Sequence, residues 1–297
     1  MTPPVLTGLT SLPVLGDDLY LRMQALNLAV VDEFLRDQES NLLRTYFEIE
    51  RTPMPEAVFV SAVSQLWIFG LYELLRTWRQ RARSVLTFAA EIAEVEGEAR
   101  DRCLENLRGR LRSSSAYPEE LDGFFMRAFE RVAEEPDLAR RVRVALDSTE
   151  VLYRQIEALR VHLAKHEMPG VRGSFAMAPG YGRISMENGS IYWQVSLPDN
   201  EVDVTTRVAL ADACARLAED RSAWILPPEV QRMVEPIRRL AYAVKRIKVR
   251  LRDGTEYGEV YVAWNREVLS VGRFEEMPFD VNEITGVEAD HEDQIDR

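Results

Sequence analysis

The residues LWIFGLYELL, from Leu66 to Leu75, would be apolar on every side of a helix except at Glu73. A helix that is apolar all round is predicted at the centre of a bundle. The window around it, Phe59–Arg83, is read as the central helix, too short and too soon followed by arginines to span a bilayer. Upstream, Leu19, Met23, Leu26, Val30 and Phe34 recur at three-to-four spacing and predict a helix capped by Asp17 or Asp18. That pattern runs on through Leu42, Leu43, Tyr46 and Phe47, with a break near Ser40, until the prolines at 53 and 55 end it.

Downstream, a more charged helical stretch covers 84–111, with Gly97 as a junction. After the loop SSSAYPEE, Pro118 opens a helix carrying Leu121, Phe124, Phe125, Phe129 and Val132, and Pro136 interrupts it. From there to about His166 the apolar set Leu152, Ile156, Leu159 and Leu163 predicts one more helix, stopped by Met168-Pro169-Gly170. The pattern then changes to period two. RISMENGSIYWQV reads as a hairpin turning at Asn188-Gly189, a type I′ signal. A helix over about 206–219 and a short one opened by Pro227-Pro228 follow. Beyond Lys245, short alternating runs meet at Asp253-Gly254 and Asn265-Arg266, and a last strand is predicted over Val281–Val287. Val249, Leu251, Val260, Val262, Trp264, Val268 and Val271 form one apolar face, and Gly258 marks a bulge or corner. So many short strands predict a small closed β-barrel, since closure removes exposed edges.

The fold class expected is therefore α+β. A lead over 1–16, read as flexible, precedes an N-terminal α-helical bundle over 17–170. A β-hairpin and helix over 171–226, a short helix and small β-barrel over 227–290, and an acidic tail over 291–297 complete the chain. Its 297 residues, 46% hydrophobic and 29% charged, have the balance of a globular protein. The formal net charge of −12 argues against nonspecific coating of nucleic acid, although a local basic groove is compatible with it. Cys103 and Cys214 show no metal or redox spacing, and the N-terminus lacks a basic leader, so a cytoplasmic protein with free thiols is expected. Neither a membrane partner nor a cofactor is expected, because no phosphate loop, dinucleotide fingerprint or nucleophile elbow occurs.

Three groups of residues are candidates for chemistry. Glu73, in apolar surroundings, must be paired, protonated or at a site, and an i,i+3 pair with Arg76 is the plainer alternative. His162 and His166 are four apart but lack the further ligands a metal site needs. Basic runs at 76–84, 108–112, 139–143 and 238–252 offer a cationic face, with Arg76, Arg79, Arg83 and Lys165 as nucleic-acid contacts, or else are solvated helix faces paired to carboxylates.

The segment ALRVHLAKHE (158–167), with Arg160 followed by His166 near a helix end, resembles the ribonuclease motif of HEPN domains. The resemblance covers at most residues 17–170, and Val161 stands where that motif usually has a polar residue. It implies a dimeric helical bundle acting on RNA without a metal. Arg160 would hold the scissile phosphate and His166 would serve as acid and base, with Glu73 as a further candidate. Six residues apart, Arg160 and His166 lie about a third of a turn apart, so they converge on one phosphate only if the helix frays at Pro169 or a second subunit supplies the other half, and a homodimer apposing two helix ends is expected. VRLRDGTEYGEV and FDVNEITGV resemble Sm-like and SH3-like small barrels, which bind RNA, peptides or other subunits. The alternative to an RNA enzyme is a noncatalytic dimeric interaction protein whose barrel docks a protein partner.

Overall fold

The computed structural model describes residues 3–114, 119–165, 183–196, 202–219, 224–237, 244–263, 267–274 and 277–290. These fall into two compact units. The first comprises residues up to Ile156, Ile184–Ser190 and Arg207–Glu219. The second comprises Glu157–Arg183, Ile191–Thr206 and Asp220 onward.

The first unit is helical: α1 (Pro4–Ser11), α2 (Leu19–Ile49), α3 (Met54–Ala93), α4 (Glu98–Ser114), α5 (Glu119–Glu134), α6 (Pro136–Ser148), the start of α7 (Glu150–Lys165), and α8 (Arg207–Ala215) with a 3-10 turn at Arg216–Ala218. The lead read as flexible is instead α1. Its Val5 and Leu9 are fully buried, and Leu12 and Leu15 follow them into the core. A Cβ on Gly8 would fall 1.8 Å from the carbonyl oxygen of Cys214, so only glycine lets α1 lie this close to α8.

Asp18 caps α2, accepting the Leu21 N–H at 3.0 Å. No break occurs at Ser40; α2 runs unbroken for 31 residues. α3 is longer than predicted, 40 residues, and absorbs the start of the stretch assigned to the next helix. The stretch expected to be too short for a bilayer thus belongs to a helix that is, by length and composition, long and apolar enough to cross one, with half of its apolar stretch buried inside the protein. The indoles of α3 anchor it: Trp67 donates to the carbonyl of Leu28 and Trp78 to that of Pro13, each at 2.9 Å. Gly97, at φ +53°, makes the predicted junction.

The helix predicted as one piece from Pro136 to about 166 is two, α6 and α7, parted at Thr149. Arg79 of α3 reaches that break and donates to the Leu146 carbonyl at 3.0 Å and to Thr149 Oγ1 at 2.9 Å.

Within the first unit the Asn188-Gly189 turn differs from the predicted type I′ form. Ser185 N–H donates to the Ser190 carbonyl and Gly189 N–H to the Ser185 carbonyl, enclosing a four-residue loop. Of its non-glycine residues none has positive φ; Gly189 alone does, at +77°, and its missing Cβ leaves room for the Glu39 carbonyl of α2.

The second unit holds the rest of α7 and an antiparallel pair, β1 (Tyr192–Ser196) with β2 (Val202–Thr206). It also holds α9 (Pro228–Val234), β3 (Val244–Leu251), β4 (Glu256–Ala263), β5 (Glu267–Val271) and β6 (Ile284–Ala289) after a 3-10 turn at Val281–Glu283. The last four strands form an antiparallel sheet in the order β5-β4-β3-β6. The predicted closed barrel is not formed: among the described residues β5 and β6 remain separate edges. Closure is replaced by a lid, since Leu226, Val230 and Val234 of the α9 segment join Ile247, Val249, Val260, Val262, Val268 and Val271 in one core. The predicted apolar face is thus correct for every residue described; Trp264 and the Asn265-Arg266 turn lie outside the described residues. The bulge also falls where Gly258 placed it, although its left-handed residue is Glu259, at φ +52°. Buried Lys245 donates from Nζ to the carbonyls of Val234 (2.8 Å) and Glu235 (2.6 Å), satisfying the open end of α9.

Candidate functional site

Glu73 does not sit in the core. Its side chain is 42% exposed and paired with Arg76 at 2.8 Å, the plain i,i+3 arrangement. Arg76 and Arg83 are exposed on α3. Arg79, assigned to nucleic-acid contact, is a buried structural cation. Besides its α6–α7 bonds it pairs with Glu150 and lies 4.7 Å over the Tyr153 ring, which stacks on Tyr72. Burial pushes the Arg79 guanidinium below its ordinary value against the pull of Glu150. Burial pushes Glu150 up, but a hydrogen bond from Arg154 and the charge of Arg79 outweigh it and hold the carboxyl below its ordinary range. Arg160 is half-buried on α7, and Lys165 ends that helix. His166 and the side chains of Lys165 and His162 lie outside the described residues. Among the described residues no three His, Cys, Asp or Glu side chains gather as metal ligands. The basic run at 139–143 is a solvated face, with Arg140 on Asp137 and Arg141 on Glu135, each at 2.8 Å.

Two arrangements not anticipated from sequence dominate the first unit. The first is a chain of alternating charge, buried at Arg207, Glu39 and Asp32 and reaching solvent at Arg36 and Asp212. Arg207, at the start of α8, has no solvent exposure and grips Glu39 through two nitrogens (Nε to Oε1 at 2.8 Å). Its third nitrogen holds Asp32. Asp32 in turn accepts from Arg36 at 3.0 Å, and Arg36 reaches Asp212 of α8 at 2.8 Å. The Arg207 guanidinium also lies 5.5 Å over the Trp67 ring. Burial pulls the guanidinium down, but hydrogen bonds and charge from Glu39 and Asp32 win and hold it above its ordinary value. Glu39 is pushed up because burial penalises its charge and the nearby charge of Asp32 adds to that, against the pull of Arg207. The chain is a fastener between α2 and α8.

The second is the opposite face of the α2–α3 pair. Leu19, Met23, Leu26, Val30 and Phe34, the apolar positions that predicted α2, all point outward; its buried face is Leu21, Ala25, Leu28, Ala29, Asp32, Leu35, Glu39 and Leu42. Phe59 and Leu66 of α3 lie alongside, Phe59 meeting Phe34 edge-to-face at 6.4 Å. Met23, Leu26, Val30, Phe34, Phe59 and Leu66 are each 48–68% exposed, and half-buried Val63 and Phe69 extend the strip. A cavity of about 280 Å³ opens at its Phe59 end between Asn41, Leu42, Glu56 and Val60. A larger groove, about 480 Å³, lies beside Leu43, Arg44, Phe47 and Glu187. Single exposed apolar residues are ordinary; a contiguous strip rimmed by charge marks an interaction surface.

No protein-family model matches the chain, and no curated protein and no solved structure matches it either.

Proposed function

We propose that the protein is a noncatalytic, dimeric interaction protein, working in the cytoplasm through the surfaces of its two units. The observation that carries this reading is the apolar strip on the solvent side of α2 and α3. Keeping such a strip in water opposes solubility, and covering it in an assembly is favourable. The side chains that sequence assigns to RNA chemistry favour the same reading. Arg79 is consumed by the α6–α7 junction and Glu73 by Arg76. The small sheet with its α9 lid, in place of an Sm-like or SH3-like barrel, serves as the body that docks a further protein partner. Sedimentation velocity of the purified chain at micromolar concentration tests the reading. It predicts a species of twice 34.1 kDa, and a monomer throughout that range refutes it.

The second reading, a HEPN-like metal-independent ribonuclease using Arg160 and His166, is supported by the position of half-buried Arg160 on the last two turns of α7. RNA cleavage that is present in the wild type and lost in Arg160→Ala would establish it over the first.

A further inference from the structure

We infer that the strip is the contact between two copies of this chain, with α2 of each lying antiparallel along α2 of the other across a two-fold axis. The inference rests on the dimer reading and adds its face and register. The extent of the surface fits. Seven exposed side chains, each leaving roughly half of about 200 Å² in water, and two half-buried ones that add less, offer roughly 800 Å². A standard stable interface needs about 800 Å² from each partner. Two long antiparallel helices present a broad face, and a second such pair is the shape that packs on it, as in a four-helix bundle.

Charge sets the direction. Exposed Arg22 lies at one end of the α2 strip, and exposed Glu33 and Asp37 lie at the other. Residues 22 and 33 are separated by about 16 Å along the helix, and their midpoint falls between Leu26 and Val30. An antiparallel α2 pair centred there brings Leu26 against Val30 of the partner subunit and Arg22 beside the partner's Glu33, to within a residue. The same rotation applies twice, so one surface completes itself, as an isologous contact requires. A parallel pair would instead set Glu33 and Asp37 against their own copies. A lipid surface fits less well, because the acidic end of the strip and the net charge of −12 oppose approach to an anionic leaflet.

The test uses the full chain and sedimentation equilibrium. Val30→Glu, at the centre of the contact, should raise the dimer dissociation constant by roughly thirty-fold or more. Arg22→Glu should raise it about tenfold, and Arg22→Glu with Glu33→Arg should recover most of that loss. All the substituted side chains face solvent, so circular dichroism should stay unchanged. A wild-type dimer that Val30→Glu leaves intact overturns the proposed face while the dimer reading stands. Absence of rescue by the double variant overturns the antiparallel register. A wild-type monomer that instead co-sediments with phosphatidylcholine vesicles overturns the second copy in favour of lipid.

Discussion

Replacing Arg207 with alanine removes a cation that faces two buried carboxylates at once. Glu39 has no exposure and Asp32 has 2%. After the substitution Glu39 would lose both of its charge-assisted bonds, while Asp32 would keep Arg36. Breaking a buried pair from one side costs about 3–5 kcal/mol, because the remaining charge stays desolvated. The lost contact with the Trp67 ring adds to this. At about 2–4 °C per kcal/mol for a domain of this class, the melting temperature should fall by roughly 6–20 °C. Differential scanning calorimetry would read it, and far-ultraviolet dichroism at low temperature would confirm that helices remain. The contrast is Asp32→Leu/Glu39→Met/Arg207→Met, which removes all three charges. It should recover most of the loss, since apolar groups of similar volume often replace a buried ionic triad without penalty. An Arg207→Ala protein that melts within a degree of wild type would show that the buried charges do not fasten α2 to α8. A triple variant as unstable as the single one would show that the loss comes from packing, not from orphaned charge.

Three further outcomes are expected. Gly8→Ala should destabilise by at least about 1–3 kcal/mol, because the added methyl meets main chain of α8 that cannot swing aside, and chemical denaturation would measure it. Glu150 is held below its ordinary value, so its contribution is full above the unfolded carboxylate value and fades as pH falls through the folded one. The urea midpoints of wild type and Glu150→Gln should therefore differ at neutral pH and converge in acid. Lys245→Met keeps the buried stem but strips the ammonium from the Val234 and Glu235 carbonyls, the first of which retains the Ile237 N–H at 3.0 Å, and should destabilise by about 1–3 kcal/mol, visible as faster hydrogen exchange over α9.

The helices were legible wherever period and punctuation agreed, as at Asp18, Gly97 and Pro136. What periodicity could not settle was which face of α2 turns inward. Residues 19–35 carry apolar side chains on two opposite sides, and the side with Asp32 and Glu39 looks like the wetter one. Their partner, Arg207, is 175 and 168 residues away, so nothing local in the sequence signals that these carboxylates are neutralised. Glu73 misled for the converse reason: LWIFGLYELL is apolar all round because α3 serves a core on one side and the exposed strip on the other. The strands declared their buried face through alternation, but closure of a sheet depends on how its edges meet, and edges leave no periodic mark. The short Pro228–Val234 helix that covers the sheet was visible; its role as a lid was not.

The sequence distance between α2 and its cation has a consequence for synthesis. Asp32 and Glu39 leave the ribosome well over a hundred residues before Arg207, and α1 likewise precedes Cys214, the residue it packs against. Until α8 emerges, the inner face of α2 holds Glu39 without its cation and Asp32 with Arg36 alone, while the outer face holds the strip, so the choice of inside is less firmly set. Contacts this remote are formed late and slowly. A fragment ending before residue 207 should therefore be a chaperone client and not a smaller version of the same fold, while supplying α8 as a separate peptide should be enough to choose the inside.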